Sequence, residues 1–285
     1  MKALRSDAVS IIEPDHPRVP LVFSSAHSGR DFPEGFAPAV ALTDLIGFED
    51  RFVDDLIADA PRYGVVNILA NFPRAYIDPN RAPDDLDDQV IEESWTGTRR
   101  PTLQSARGIG LIFRQLQDGK AIYDRPLTHA ELDHRLQRYW QPFHDQLDAV
   151  LDATHIARGG VWHVDWHSMR PVGDALAPDP GAIRPDFVVS DLDGASSGQD
   201  FRVHVAGVLE RLGYSVAIND PFRGGYIISR AGAPGTNRHS LQVEINRKLY
   251  LDPDTLARSR GFAPLRQDLA AVAQELATFA NDAGS

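Results

Sequence analysis

Short apolar runs alternate with amphipathic stretches along the chain. The apolar runs predict β-strands over residues 18–25, 65–70, 161–168, 186–191, 214–219 and 240–246. Apolar positions at helical spacing predict helices over residues 43–62, 128–151, 201–212 and 265–279. Strands separated by helices indicate a three-layer α/β/α fold with a mostly parallel, mixed central sheet. We expect residues 1–285 to form a single domain.

Residues 82–127 interrupt this alternation. They are rich in Asp, Gly, Arg and Pro and show no sustained period. Excursions of this length are uncommon in compact domains and often serve as lids or binding loops. Whether this segment forms a lid stays open at the level of sequence.

The amino-acid composition limits which kinds of site and partner the protein can have. The chain has 285 residues, no cysteine and a formal net charge of −11. The absence of cysteine removes disulfides, thiolate metal sites and a cysteine nucleophile. The acidic balance argues against nucleic-acid binding, and an anionic small-molecule substrate would need a local arginine cluster. The polar N-terminus and the lack of a long apolar run predict a cytoplasmic protein without a membrane partner.

The strand over residues 161–168 contains the largest number of candidate site residues in a short span. Alternation places His163, Asp165 and His167 on one face. His167 is near the strand end, where α/β sheets bind ligands, whereas we assign His163 to the core. His27 follows the first strand in a similar position, and two histidines with a carboxylate would suit zinc. Spacing alone leaves the carboxylate open, among Asp31, Glu34, Glu49 and Asp50.

Glu244 is the second unusual carboxylate, because it lies in an apolar strand. A buried carboxylate must be paired, metal-bound or functional, so Glu244 is either a partner of an arginine such as Arg247 or a general base. Several arginines lie in loops beside predicted strand ends and either bind carboxylates or form surface salt bridges. These arginines are Arg74, Arg81, Arg223 and Arg230.

Six short motifs occur in an order that resembles the N-formylglutamate amidohydrolase family. They are Ala26-His27-Ser28-Gly29, Glu49-Asp50, Arg74 with Ile77-Asp78-Pro79-Asn80-Arg81, Val164-Asp165-Trp166-His167-Ser168-Met169, Phe222-Arg223-Gly224-Gly225 and Val243-Glu244-Ile245-Asn246-Arg247. The resemblance runs from about Pro20 to Tyr250. It implies a zinc-carboxypeptidase-like fold and hydrolysis of an N-formyl or N-acyl amino acid, with histidine degradation as the setting.

The resemblance also implies roles for individual residues. It makes His27, Asp50 and His167 the ligands of one Zn²⁺ or another divalent ion, with Glu49 in reserve for Asp50. Glu244 becomes the catalytic carboxylate and Asp165 a residue that orients an imidazole. The expected substrate-binding residues are Arg74, Asn80, Arg81 and Arg223, and Arg81 would also assist catalysis.

Two further functions remain alternatives at this level. One is a zinc carboxypeptidase-like peptidase or a cell-wall amidase, and the other is a protein that binds acidic amino acids without catalysis. The segment Phe48-Glu49-Asp50-Arg51-Phe52 departs from the family pattern Asp-Thr-Asp-Trp-His. The particular N-acyl amino acid therefore stays open, as does the oligomeric state.

Overall fold

The computed structural model describes residues 2–175 and 177–284. Its eight-stranded sheet has the order β1-β2-β4-β3-β5-β8-β6-β7. The strands are β1 Lys2–Arg5, β2 Val9–Glu13, β3 Leu21–Ser25, β4 Val66–Ala70, β5 Val161–Met169, β6 Phe187–Ser190, β7 Val216–Ile218 and β8 Arg238–Asn246. Neighbours β4, β3, β5 and β8 run parallel, whereas β1, β2 and β6 add antiparallel pairings. The predicted mixed, mostly parallel α/β sheet is confirmed.

Helices cover both faces of the sheet. They are α1 Leu42–Leu45, α2 Val53–Leu56, α3 Leu103–Ala106, α4 His129–Arg135, α5 Gln141–Arg158, α6 Gln199–Arg211, α7 Tyr226–Ala231 and α8 Phe262–Ala283. A π-helical turn at Leu136–Trp140 joins α4 to α5, so the helix predicted from residue 128 is present. Helices α2, α6 and α8 pack on one face and α5 on the other.

The two faces of β5 carry different chemistry, as its alternation predicts. Trp162, Val164 and Trp166 are buried in the apolar core beneath α6 and α8. His163 and His167 lie on the opposite face and are also buried. Burial of all nine β5 residues fixes the register of the strand, because a shift by one residue would exchange the two faces.

The prediction of one helix over residues 43–62 was wrong. This span contains only α1, α2 and 3₁₀ turns at Ile46–Phe48 and Ala60–Tyr63. The break lies before α2, where Phe52 adopts a left-handed φ of 62°. The N–H of Asp50 donates to the carbonyl of His27 at 2.9 Å instead of continuing a helix. A tertiary contact thus overrides a helical period in the sequence.

Two further features differ from the sequence-based expectation. Strands β1 and β2 were not predicted, because they are short and have a mixed apolar and polar composition. Residues 82–127 have little regular structure, as expected, but they are anchored by buried apolar side chains that include Leu111, Ile112 and Phe113. In the part of the chain that the structure describes, no helix has the length and apolarity needed to cross a membrane.

Candidate metal and substrate site

The candidate site lies at the carboxyl edge of four parallel strands. His27 follows β3, and His167 lies near the end of β5. Parallel pairing of β5 with β8 places Glu244 directly opposite His167. The segment after β4 contributes Asp78 and its neighbours. Residues far apart in sequence therefore meet where parallel strands end.

Close backbone packing holds the turn that carries His27. A Cβ at Gly29 would lie 2.3 Å from the carbonyl oxygen of Phe72, so a larger side chain could not fit there. The turn after β3 is thereby pressed against the end of β4. The bond from Asp50 N–H to the carbonyl of His27 then ties the Asp50 loop to the same turn.

Three ligand atoms converge at the centre of the site. The Nδ1 atoms of His27 and His167 are 3.0 Å apart. Asp50 Oδ2 lies 3.1 Å from His167 Nδ1 and 3.4 Å from His27 Nδ1. Ligands at about 2.0–2.1 Å from a tetrahedral Zn²⁺ are separated from one another by about 3.3 Å. The spacing of these three buried residues therefore fits a zinc ion.

Buried carboxylates fix the orientation of both imidazoles. His27 Nε2 lies 2.7 Å from Asp78 Oδ1, and His167 Nε2 lies 2.6 Å from Asp165 Oδ2. Each Nε2 therefore carries a hydrogen, which it donates to a carboxylate, and each ring turns its Nδ1 toward Asp50, where Nδ1 is an acceptor in the neutral form of the ring. Three acceptor atoms facing one another repel unless a cation lies between them. We call these five residues, His27, Asp50, Asp78, Asp165 and His167, the inner cluster.

The pKa shifts in the inner cluster also favour the binding of a cation. Burial opposes the charge of His167, but the Asp165 carboxylate and the bonds to Asp165 and Asp50 outweigh it and raise the pKa of His167 well above its usual range. Burial likewise opposes the charge of Asp50, yet bonds from both histidines hold its pKa well below the usual value. The inner cluster therefore favours binding of a cation, and a proton and a metal ion compete for the same ligand atoms.

The second oxygen of Asp50 is held by residues outside the inner cluster. Asp50 Oδ1 accepts hydrogen bonds from Arg247 Nη2 and Ser168 Oγ, both at 3.1 Å. Arg247 also donates to the carbonyls of Glu49 at 2.7 Å and Gly47 at 3.0 Å. These hydrogen bonds fix the loop that carries Asp50 and leave its Oδ2 facing the histidines. Arg247 therefore partners Asp50 and not Glu244.

A buried hydrogen-bond chain continues behind Asp165. Ser24 Oγ donates to Asp165 Oδ1 at 2.5 Å and accepts from His163 Nε2 at 2.9 Å. His163 Nδ1 accepts from Ser240 Oγ at 2.8 Å. Burial lowers the pKa of His163 to about 4, so the ring is neutral. His163 lies in the core, and it supports the residue that orients His167.

Glu244 borders the ligand triad without an arginine partner among the described residues. Its Oε1 accepts from Gln242 Nε2 at 2.8 Å. Gln242 in turn accepts from Asn80 Nδ2 at 3.3 Å, and Asn80 Oδ1 accepts from the N–H of Ile227 at 2.9 Å. Burial raises the pKa of Glu244, and the nearby charge of His167 opposes this rise. A raised pKa of this kind suits a general base.

Glu49 is separated from the ligand atoms, although it is the neighbour of Asp50. It is 2% exposed, and its Oε2 accepts from Arg51 Nη1 at 3.2 Å. Burial raises the pKa of Glu49 to about 7, while Arg51 opposes the rise. The described residues that can share a metal are His27, Asp50 and His167, without Glu49.

A cavity of about 400 Å³ opens onto the ligand triad and Glu244. Its lining includes Arg74, Arg81, Arg170, Arg184, Arg223 and Arg247. Arg74 donates twice to Asp78, at 3.1 and 2.6 Å, so its charge is already partnered. Among the described residues, the guanidinium of Arg81 bonds only to backbone carbonyls, at 3.4 and 3.2 Å, and burial lowers its pKa. On a chain of net charge −11, this is the local arginine cluster that an anion requires.

The residues to which the family resemblance gives roles all border this cavity or contact the residues that line it. The structure brings His27, Asp50 and His167 together, sets Glu244 beside them, and joins Asp165 to His167. Arg223 lies at the rim, where its side chain is 73% exposed and 3.1 Å from Asp193. Arg230 is elsewhere, paired with Asp148.

Sequence reasoning missed several residues of the site. Asp78, Ser168 and Arg247 stood inside recognised motifs but had no assigned contacts with the ligand residues. Gln242 had no assigned role, although alternation along the strand places it on the same face as Glu244. Arg170 was passed over, although it directly follows the strand that carries His167. Strand-end position was the signal that could have found it.

The site has a buried His-Asp-His triad and an adjoining carboxylate at the edge of a parallel sheet. These features place the protein in the class of α/β proteins with a candidate metallohydrolase centre. The family model described as N-formylglutamate amidohydrolase matches residues 19–251. Because this match spans most of the chain, the protein belongs to that family.

Individual relatives agree with this membership. A crystal structure of N-formylglutamate amidohydrolase from Ralstonia eutropha JMP134 is 35% identical, covers 98% of this chain and 100% of that one, and superposes with a TM-score of 0.92. An N-formylglutamate deformylase from Pseudomonas putida is 27% identical over 82% of this chain and 83% of its own. Its counterpart from Pseudomonas aeruginosa is 28% identical over 91% of each chain.

Proposed function

We propose that the protein is a zinc-dependent amidohydrolase that cleaves N-formyl-L-glutamate, or a close N-acyl amino acid, to formate and the free amino acid. The observation that carries this proposal is the convergence of His27, Asp50 and His167 beside Glu244 in an arginine-lined cavity. Membership of the family and the activity named for the relatives support the choice of substrate.

The residues of the triad would hold the metal through His27 Nδ1, His167 Nδ1 and Asp50 Oδ2. When bound there, zinc would lower the pKa of a water molecule to about 7 and polarise a carbonyl group. The bonds from His27 to Asp78 and from His167 to Asp165 would keep both rings in the ligating tautomer.

Glu244 is placed to act as the general base. Its carboxylate lies on the strand next to His167 and lines the cavity, so it can accept the proton of the attacking water and transfer it to the departing nitrogen. The bond from Gln242 fixes one oxygen of Glu244 and leaves the other available. Burial, which raises its pKa, favours this exchange of protons near neutral pH.

The arginines supply the binding energy for an anionic substrate. Within residues 2–175 and 177–284, Arg81 has no carboxylate closer than Asp85, at 3.9 Å, and is therefore the best placed guanidinium to hold the α-carboxylate. Asn80 lines the cavity beside it. Arg74, although bonded to Asp78, contributes positive charge to the same wall and would stabilise negative charge that develops on the formyl oxygen.

The proposal also includes the cellular location and the metabolic role of the protein. A small anionic substrate fits a cytoplasmic enzyme of histidine degradation, and we propose this location and role for the protein. An enzyme that acts on longer peptides or on cell-wall amides, and a binding protein without catalysis, are the outcomes against which the proposal is tested.

Hydrolysis assays with zinc-loaded protein test the function. We expect N-formyl-L-glutamate to yield equal amounts of formate and primary amine, and short unformylated peptides with a C-terminal glutamate to remain intact. Cleavage of the peptides alone would favour a peptidase. Calorimetric binding of L-glutamate by protein that takes up no zinc and releases no formate would favour the binding protein.

A further inference from the structure

The arginines that line the cavity differ in how completely they are hydrogen-bonded. Arg247 donates four hydrogen bonds, and Arg184 donates to both oxygens of Asp179 and to the carbonyl of Arg170. Arg170 is different: among the described residues its guanidinium makes no hydrogen bond. Its nearest carboxylate is Asp174, whose Oδ2 lies 3.7 Å from Nε.

Arg170 lies in the wall of the cavity that contains the triad. It follows the last residue of β5, three positions after His167. It borders the cavity that contains the triad and also two adjoining cavities of about 530 and 420 Å³. Its Nη2 would lie 3.5 Å, an ordinary van der Waals distance, from a Cβ at Gly47, so the guanidinium lies against the backbone of the loop that leads to Asp50.

The surroundings of Arg170 leave it in need of an anion. Its side chain is 38% exposed, so it is partly removed from water without a bonded counter-ion. Burial and the positive charges of Arg247 and Arg184 lower its pKa, and only Asp174 acts in the opposite direction. A partly buried guanidinium with cationic neighbours gains most from a carboxylate that can accept two parallel hydrogen bonds.

We propose that Arg170 forms a second anion subsite, which binds the side-chain carboxylate of a dicarboxylic N-acyl amino acid while Arg81 binds its α-carboxylate. Arg81 lies in the segment after β4 and Arg170 directly follows β5, and both line one cavity with the triad. This inference rests on the proposed hydrolase function and specifies its substrate class as an N-acyl amino acid with two carboxylates.

The physical basis of the specificity is a guanidinium that makes no hydrogen bond among the described residues and whose nearest carboxylate, Asp174, lies 3.7 Å away. A substrate that replaces the side-chain carboxylate by an amide of the same size offers no charge and only one acceptor oxygen. The protein then loses a charge-assisted bidentate contact, which discriminates against the analogue far more than a change of size would. N-Formyl-L-glutamate and N-formyl-L-glutamine form such a matched pair.

Steady-state kinetics on this pair, with four proteins, test the proposal. The proteins are the zinc-loaded wild type, Arg170→Gln, Arg223→Gln and the remote surface control Arg62→Gln, whose side chain is 69% exposed. We expect wild type to prefer the glutamate substrate. Arg170→Gln should lower kcat/KM for that substrate about 10- to 100-fold, mainly through KM, and change the glutamine substrate less than about threefold.

Each other outcome has a distinct meaning. Equal turnover of both substrates by the wild type would overturn the second subsite and leave the hydrolase function intact. A preference that survives in Arg170→Gln but disappears in Arg223→Gln would assign the subsite to Arg223 and overturn our assignment. Failure of the wild type to release formate from either substrate would overturn the hydrolase function itself. Arg62→Gln reports any general effect of removing one positive charge.

Discussion

Two regions of the site use polar residues in opposite ways. In the inner cluster, each imidazole is oriented by a buried carboxylate, and Asp50 Oδ1 accepts two hydrogen bonds. At the cavity wall, Arg81 bonds only to backbone carbonyls, and Arg170 makes no hydrogen bond within the described residues. The inner cluster is fixed before any ligand arrives, whereas the wall retains unused donors.

This difference in hydrogen bonding distinguishes the residues that act on the reacting bond from the residues that bind the substrate. Groups that act on a reacting bond must be positioned to within a fraction of an ångström, so they are supported by a second layer of partners. Groups that bind a substrate gain affinity only if their donors remain free until the substrate arrives. The degree of hydrogen bonding therefore distinguishes the two kinds of polar residue in this cavity.

The largest effect should follow from substitution of Glu244. Glu244→Gln keeps the size of the side chain but cannot accept a proton, so we expect kcat to fall by about 10²- to 10⁴-fold. Zinc content should stay that of the wild type, because Glu244 is outside the ligand triad. Steady-state kinetics and metal analysis measure both quantities.

An exposed acidic residue provides the control for Glu244→Gln. Glu275, with a side chain that is 58% exposed, can be changed to Gln without contact with the site. Unchanged kcat in Glu244→Gln would remove Glu244 from the base role. Loss of zinc together with activity would show instead that Glu244 supports the metal.

A smaller effect is expected from the residue that holds the second oxygen of Asp50. Ser168→Ala removes one of two hydrogen bonds to Asp50 Oδ1 and leaves the triad in place. Loss of such a supporting partner typically lowers metal affinity by about 10- to 100-fold, and we expect the lower end because Arg247 remains. Competition with a chromogenic chelator measures the affinity.

Ser196→Ala is the matched control for this variant. Ser196 is also a buried serine, but its hydroxyl donates to the carbonyl of Ser240 and not to a ligand residue. Equal zinc affinity in wild type and Ser168→Ala would mean that Arg247 alone fixes Asp50. An equal loss in both serine variants would point to a general effect on the fold.

The smallest effect concerns a buried histidine outside the inner cluster. His144 bonds to the carbonyl of Pro79 at 2.9 Å, and burial lowers its pKa to about 4 from an ordinary 6.5. Between these pH values the unfolded chain binds more protons than the folded one, so acidification lowers stability. One such histidine changes the free energy of unfolding by at most about 1.4 kcal/mol per pH unit.

Urea denaturation of metal-free wild type and His144→Gln between pH 7 and pH 5 isolates this contribution. We expect the free energy of unfolding of His144→Gln to depend less steeply on pH, by about 1 kcal/mol per unit near pH 5. The half-buried His155 on the same helix, changed to Gln, is the control. Parallel pH profiles in all three proteins would contradict a neutral buried His144.

The sheet and much of the site could be predicted from sequence because both depend on local patterns. Alternation along residues 161–168 placed His163, Asp165 and His167 on one face, a strand-end position indicated His27, and an apolar strand around a carboxylate indicated Glu244. These features follow from the geometry of a strand and the common edge of parallel strands.

The remaining features depend on contacts between distant residues. The helical period of residues 43–62 gave no indication that the Asp50 backbone bonds to His27 and breaks the helix. The partnership of Arg247 with Asp50 spans 197 positions in sequence, and that of Asp78 with His27 spans 51. Which arginines keep free donors is likewise visible only in the folded chain.

Zinc titration of chelator-treated protein tests the central claim most directly. Wild type, Asp50→Asn and Glu49→Gln are titrated while zinc binding and formate release from N-formyl-L-glutamate are followed together. We expect one ion per chain in wild type and Glu49→Gln, with turnover rising in step with binding, and neither tight binding nor turnover in Asp50→Asn. Full turnover in metal-free wild type, or in Asp50→Asn, would contradict a metal centre at His27, Asp50 and His167.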